Sequence, residues 1–368
     1  MSTRGTQRPG YSVLLPTHNR ADVLRFAIRS VLGQTFEDFE LLVVGDGCTD
    51  ETAALVAGFG DARIRWFDLP KAPHFGYANR NVALREAAGE LVAFMAHDDL
   101  WLPDHLELLA RCIEQSGAEI AYSRPLWVIP RGLVAPLVFN LHNPETLSRF
   151  VAKTHNSIPA GCIVHRRECL DKYGYWNADL PGNGDLDMWA RIVAGGGRKN
   201  FAYLPEPTCL HFRANWRTEA NVGQPALKVW KALHAVEGFM PPALKVDVPT
   251  GLTEQETFRL AIEANPRRWT ADLRAAVECV IEKRVALSDE MILKLLGDGG
   301  AERLDADRLF DSYAQLERVA RLADELVEGS VGWKLLRRTR RALNALAPPD
   351  TLRGRSLLRV KNAFRRTL

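Results

Sequence analysis

Four short apolar runs, each followed by a polar stretch or a helix-forming segment, limit what the first hundred residues can become. Residues 11–15 run into Pro16-Thr17-His18-Asn19-Arg20, and residues 39–44 into Gly45-Asp46-Gly47-Cys48-Thr49-Asp50. Residues 63–67 form a third run, and residues 91–95 a fourth, halted by Ala96-His97-Asp98-Asp99. Between the first two, Val23, Leu24, Ala27, Ile28, Val31 and Leu32 recur at helical spacing, with Gly33 as a natural stop. Residues 51–57 and 76–88 read as two further helices, the second ended by Gly89. Strand and helix alternating at intervals of roughly 25 residues predict an α/β domain with a parallel sheet and crossover helices. The loops at 17–20, 46–50 and 96–99 are then expected at one edge of that sheet, where open α/β sheets bind ligands.

Two carboxylates at the close of the fourth run carry the first chemical hint. A fully buried strand followed at once by Asp98 and Asp99 places acids where they cannot be buried unpaired. The pair fits a divalent cation, and with it a phosphorylated ligand. It equally fits an N-cap for the helix that Pro103 opens. No Gly-x-Gly-x-x-Gly follows the first strand and no Gly-x-x-x-x-Gly-Lys-Ser/Thr occurs, which disfavours dinucleotide dehydrogenases and P-loop enzymes.

At 368 residues, 46% apolar and 25% charged, the chain has room for one large domain and an appendage. No apolar run approaches the ~20 residues of a membrane-spanning helix. The polar residues 1–10 lack the apolar centre of a signal peptide and are expected to be disordered. Six cysteines without CxxC pairing read as reduced thiols of a cytoplasmic protein. The net charge of +3 is unevenly spread: residues 331–368 hold eleven Lys and Arg against one acid, a net of +10, leaving 3 − 10 = −7 for the rest.

Several ordered motifs carry a family resemblance. Ser12-Val-Leu-Leu-Pro-Thr-His-Asn-Arg20, Ser30-Val-Leu-Gly-Gln-Thr-Phe36, Glu40-Leu-Leu-Val-Val-Gly-Asp-Gly-Cys-Thr-Asp-Glu-Thr52 and the stretch 88–103 together resemble glycosyltransferase family 2. The resemblance covers about residues 11–215. It implies a GT-A fold (a Rossmann-like nucleotide-diphospho-sugar transferase fold) and an inverting, metal-dependent enzyme using a UDP- or GDP-type nucleotide-sugar. By the same resemblance, Asp46 with Pro16, Thr17 and Asn19 would hold the base, and Arg80 with Asn81 would lie near the diphosphate or base. Asp98 would meet the ribose, and Asp99, with Asp98 and His211, would hold Mg²⁺ or Mn²⁺. Gly161 matches a small residue where backbone approaches the donor sugar, or else a strand glycine at a close packing point. His211 is equally read as a packed surface histidine, and Arg213 as a neutraliser of the diphosphate. The segment Gly182-Asn-Gly-Asp-Leu-Asp-Met-Trp189 resembles the family's Glu-Asp-x-Asp-x-Trp, which maps the catalytic base to Asp185, with Asp187 as its substitute. Both acids also suit a first helical turn, where the helix dipole favours negative charge. The chain departs from the family where an acid is usual at three places: Gly45, Ala96 and Gly184.

The organisation expected is a GT-A domain over 11–222, a helical extension over 223–330 and a basic amphipathic tail over 331–368. In the extension, Leu304, Leu309, Tyr313, Leu316, Ala320, Ala323 and Val327 recur at three- and four-residue steps, as for a helix packed on the body or on a second copy in a homodimer. The tail pairs Trp333, Leu335, Leu336, Leu343 and Leu346 with arginines, a composition suited to an anionic membrane surface. Docking on the acidic body is the alternative, and specific nucleic-acid binding is not expected. The acceptor expected is a saccharide or lipid-linked hydroxyl of cell-surface polysaccharide or glycolipid synthesis. The competing functions are a catalytically impaired nucleotide-sugar-binding protein and a nucleotidyltransferase.

Overall fold

The computed structural model describes residues 9–212, 225–236 and 238–285. The N-terminal residues 1–8, Arg213, the helical pattern at 304–327 and the basic tail all lie outside the described residues. By its contacts the chain forms two units, residues 1–234 with 240–277, and residues 235–239 with 278–368. In the second, the Lys283 ammonium lies 5.8 Å from the Phe239 ring centre.

The first unit is built on β1 (Tyr11–Thr17), β2 (Phe39–Asp46), β3 (Ile64–Leu69) and β4 (Leu91–Phe94), the four runs read from the sequence. All four are parallel, with Thr17 opposite Gly45, Asp46 opposite Leu69 and Leu14 opposite Phe94. This register brings Thr17, Asp46 and the segment after Phe94 to one sheet edge. Burial on both faces explains the unbroken apolar pattern: Val13, Leu14, Leu15, Leu41, Leu42, Val43 and Val44 are fully buried.

Three further strands complete a seven-stranded sheet. They are β6 (Ile120–Ser123), β9 (Ile163–Arg166) and β10 (Phe201–Leu204), in the order β10-β6-β9-β4-β1-β2-β3. β9 runs antiparallel to both β4 and β6, so the sheet is mixed. A four-stranded second sheet contains β5 (Leu100–Trp101), β11 (Cys209–Phe212), β7 (Leu126–Ile129) and β8 (Leu133–Pro136). The last two form a hairpin. Arg131 (φ 76°) and Gly132 (φ 68°) both adopt left-handed conformations in its turn. A Cβ on Gly132 would lie 2.0 Å from the Val246 carbonyl oxygen, so the turn sits directly on later chain.

The helices are α1 (Ala21–Leu32), α2 (Thr52–Gly58), α3 (Tyr77–Arg85), α4 (His105–Ser116), α5 (Pro144–Val151), α6 (Glu168–Tyr173), α7 (Gly184–Gly196), α8 (Pro225–Leu233), α9 (Glu254–Ala264) and α10 (Pro266–Val285). α1 buries Val23, Leu24, Ala27, Ile28 and Val31, the stripe its spacing predicts. Its first N–H group, on Ala21, donates to Asp50 in the β2–α2 loop, 3.1 Å away, so one loop caps the helix that follows another. α4 settles the first ambiguity at Asp98 and Asp99. The residue at its N-cap is Asp104, whose carboxylate receives both Nη atoms of Arg274 at 2.7 and 2.8 Å. Neither Asp98 nor Asp99 caps this helix. The region beyond 222 is helical as expected at α8, α9 and α10, though Lys245 also makes an antiparallel bridge to Leu133. No described helix is long and apolar enough to cross a membrane.

Candidate active site

At the end of β2, Asp46 is held by its neighbours. Its Oδ1 accepts the Ala72 N–H at 2.8 Å and the Asn79 amide at 2.7 Å, and its Oδ2 pairs with the Lys71 ammonium. A Cβ on Gly76 would come within 2.7 Å of that carboxylate, which is why the chain turns there on a glycine with φ 70°. The Asp46 carbonyl oxygen lies 2.8 Å from His18 Nδ1, linking the first two loops. Asn19 (φ 49°) also spans them: its Oδ1 accepts the Thr49 N–H at 2.7 Å. Asn19 therefore organises the loop pair, and any contact to a ligand base would be additional. Pro16 is half-buried in β1, and Thr17 is buried with a hydroxyl that has no hydrogen-bond partner among the described residues.

Beyond β4, Asp99 is completely buried. Both its oxygens face His211 Nδ1, at 2.9 and 3.0 Å, and Oδ1 also accepts the Phe212 N–H at 3.0 Å. Burial pushes the Asp99 carboxyl above its ordinary range, and adjacent Asp98 adds to this; the His211 charge and hydrogen bond oppose it without cancelling it. Asp98 is largely covered, with a carboxylate oxygen 4.0 Å from His97 Nε2. Gly161 lies in a 3₁₀ turn at Ala160–Cys162. A Cβ there would stand 2.8 Å from Cys209 Sγ and 3.3 Å from Asp99 Oδ2, while the Gly161 carbonyl accepts the Trp101 indole N–H at 2.8 Å. Close packing thus requires the glycine, and what it packs against includes the Asp99 carboxylate.

Asp98, Asp99 and His211 are the residues expected to meet a divalent cation. Mg²⁺ and Mn²⁺ favour oxygen-rich shells, and Mg²⁺ is commonly held by one or two carboxylates plus substrate phosphates. Among the described residues there is no group of three or more His, Cys, Asp or Glu that could hold a metal ion.

The two acids of α7 differ sharply. Asp187 is buried, and its carboxylate lies 2.5 Å from the Lys153 ammonium and 3.1 Å from Arg191 Nε. Burial alone would raise its pKa, but these two hydrogen-bonded cations hold it below the usual carboxylate range. In this structure the Asp187 carboxylate is thus paired with two cations of the protein. Asp185, two residues earlier, is 37% exposed and meets Arg80 Nη1 at 3.2 Å. Arg80 accordingly faces the α7 acid. The Asn81 side chain donates to the Trp176 carbonyl at 2.8 Å and accepts the Trp176 N–H at 3.1 Å.

Two of the missing acids have a physical explanation. A Cβ at Gly45 would lie 2.4 Å from the Trp66 ring, and one at Gly184 would lie 2.5 Å from the Tyr77 ring. Indole and phenol rings stand where longer side chains would project. The Tyr77 hydroxyl also accepts the Gly184 N–H at 3.0 Å. Tyr77, Lys71 and Asn79 were not singled out from the sequence, although the polar run Asn79-Arg80-Asn81 within a helical segment is a signal that this face is not simple core.

A mixed sheet whose parallel strands deliver acids to one edge is joined to a small second sheet carrying a histidine, an α/β domain of the class expected from the sequence. A model of glycosyl transferase family 2 matches residues 12–174. An uncharacterized glycosyltransferase of Rickettsia typhi is 34% identical over 263 residues, covering 67% of this chain and 76% of that one. The Escherichia coli protein WfgD, a UDP-Glc:alpha-D-GlcNAc-diphosphoundecaprenol beta-1,3-glucosyltransferase, is 37% identical over 111 residues, covering 30% of this chain and 44% of its own. Among solved structures, Staphylococcus aureus TarS 1–349 in complex with UDP-GlcNAc matches with a TM-score of 0.46 and 19% identity, covering 87% of this chain and 95% of that one. The chain belongs to glycosyltransferase family 2. It spans only 31% and 17% of the length of two other curated relatives that it matches.

Proposed function

We propose that this glycosyltransferase inverts configuration in one in-line displacement, moving a sugar from a UDP- or GDP-type donor to a hydroxyl of a saccharide or lipid-linked acceptor. The observation that carries this reading is the continuity of the site through α3. Adjacent residues Asn79 and Arg80 bond to Asp46 at the donor edge and to Asp185 at the start of α7. A donor gripped by the β1 and β2 loops then lies beside an accessible carboxylate. Asp185 removes the acceptor hydroxyl proton as the new bond to the anomeric carbon forms and the bond to the diphosphate breaks. Asp46 and the unpartnered Thr17 hydroxyl receive the base, with Pro16 and Asn19 shaping that wall, and Asp98 meets the ribose.

Asp99, Asp98 and His211 would hold a Mg²⁺ or Mn²⁺ ion. When bound, such an ion offsets the charge developing on the diphosphate leaving group. The E. coli relative's acceptor is linked to diphosphoundecaprenol, and a comparable acceptor here fits cell-surface polysaccharide or glycolipid synthesis. A lipid acceptor would bring the enzyme to an anionic membrane face, where the basic segment 331–368 has its use.

The test is a panel of UDP- and GDP-sugars incubated with the enzyme and Mn²⁺, scored for release of nucleoside diphosphate. Release from at least one donor, abolished by EDTA and restored by Mn²⁺, is expected. Binding without release would favour the impaired donor-binding protein. Pyrophosphate release from a nucleoside triphosphate would favour nucleotidyl transfer.

A further inference from the structure

We propose that Arg80 is a positioning residue for Asp185, packed against the Tyr77 and Trp176 rings so that its guanidinium fixes the carboxylate that acts as base. This rests on the assignment of Asp185 as base and adds a role for Arg80 distinct from donor binding. Gly76, in a left-handed conformation, starts α3 so that Tyr77 and Arg80, three residues apart, share one face. The guanidinium carbon lies 5.0 Å from the Tyr77 ring centre and 5.1 Å from that of Trp176. The two rings are themselves stacked at 6.3 Å with 29° between their planes. The Tyr77 hydroxyl is anchored by the Gly184 N–H at the first residue of α7, and the Trp176 backbone by two hydrogen bonds to the Asn81 side chain. Arg80 is 17% exposed, and its Nε is buried without a hydrogen-bond partner among the described residues. Rotation of the guanidinium is therefore restricted, and its recorded ion pair is with Asp185 Oδ1.

That pairing has a chemical use. An aspartate in an exposed first turn has several rotamers, and a general base works only when its oxygen stands within hydrogen-bond reach of the proton it takes. Arg80 occupies Oδ1 and leaves Oδ2 for the acceptor hydroxyl. The acceptor proton passes to Oδ2 while the acceptor oxygen bonds to the anomeric carbon and the diphosphate departs with its electron pair. The same arrangement explains Gly184. The Tyr77 ring fills the space a side chain at 184 would need, so the ring that seats Arg80 excludes the acid found at that place in the family pattern.

The experiment uses full-length wild type and the variants Arg80→Met, Arg80→Lys, Arg80→Gln and Asp185→Asn. UDP binding with Mn²⁺ is measured by calorimetry, and turnover with UDP-glucose by UDP release at saturating donor. Arg80→Met is expected to lower kcat about tenfold to a hundredfold while the UDP dissociation constant stays within about twofold, the donor site being untouched. Arg80→Lys, which keeps a cation against the carboxylate, is expected to recover part of the loss. If Arg80→Met does not fold, Arg80→Gln takes its place. Wild-type kcat in the neutral variant overturns the proposal, as does a large loss of UDP affinity with kcat unchanged, which would make Arg80 a donor ligand. Wild-type turnover in Asp185→Asn would instead overturn the assignment of the base, whatever the Arg80 variants do.

Discussion

Asp185 and Asp187 stand two residues apart on one helix, yet Asp187 pairs with Lys153 and Arg191 while the more exposed Asp185 meets Arg80. Asp187 neutralises two cations in the framework, so Asp187→Asn leaves Lys153 and Arg191 without their carboxylate. A loss of about 2 kcal/mol or more is expected, read as a lower urea midpoint with an unchanged slope. An unchanged midpoint would mean the cations find other partners without cost. Asp99→Asn tests the opposite kind of acid. It keeps the shape and should remove the Mn²⁺-promoted part of UDP binding while leaving the melting temperature near that of wild type; equal UDP affinity with and without Mn²⁺ in the wild type would contradict the cation site. These residue identities were only partly legible in the sequence. Spacing placed Asp98, Asp99 and Asp185 at element ends, but the distinction between base and framework acid depends on Lys153 and Arg80, which lie 34 and 105 positions away from their partners. Distant ion pairs leave no local pattern.

At the scale of elements, the four leading strands were readable because parallel strands are buried on both faces and read as unbroken apolar runs. β9 was less so: an antiparallel insertion between β4 and β6 has the same apolar appearance as a parallel strand, and its direction depends on the path of the connection. The edge of β2 shows how packing replaces a family acid. Gly45 gives its space to the Trp66 ring, so Gly45→Ala forces ring or strand to shift and is expected to cost about 1–3 kcal/mol. Restoration of the lost stability by a smaller residue at 66 would support the steric cause, and a neutral Gly45→Ala would refute it.

Two fully buried histidines set a pH dependence at the same scale. His105, at the start of α4, stacks on Trp101 at 4.0 Å and its pKa falls to about 3; His165, in β9, falls to about 4. Burial is the main cause in both, disfavouring the charged ring. The unfolded chain binds protons near the ordinary value of 6.5 and the folded chain does not, so stability falls as pH drops from about 6.5 toward 4. The slope should approach about 1.4 kcal/mol per pH unit for each histidine. Urea melts between pH 7.5 and 5 give the measurement, and a flat midpoint over that range would show that the rings become charged in place.

At the scale of the whole molecule, the charge asymmetry separates a mildly acidic body from a strongly basic C-terminal segment. If the acceptor is lipid-linked, full-length protein should sediment with vesicles containing anionic lipid, lose that binding as salt rises, and ignore neutral vesicles. Equal binding to neutral vesicles would point to apolar insertion alone. The central claim is narrower: a donor site at the strand edge delivers a sugar to an acceptor activated by Asp185. Its most direct measurement compares UDP affinity with Mn²⁺ and the turnover rate of a donor sugar in wild type and Asp185→Asn. The account predicts nearly equal affinity and a turnover reduced at least a hundredfold, as expected for loss of a general base. Turnover close to wild type, or loss of affinity and activity together, would contradict it.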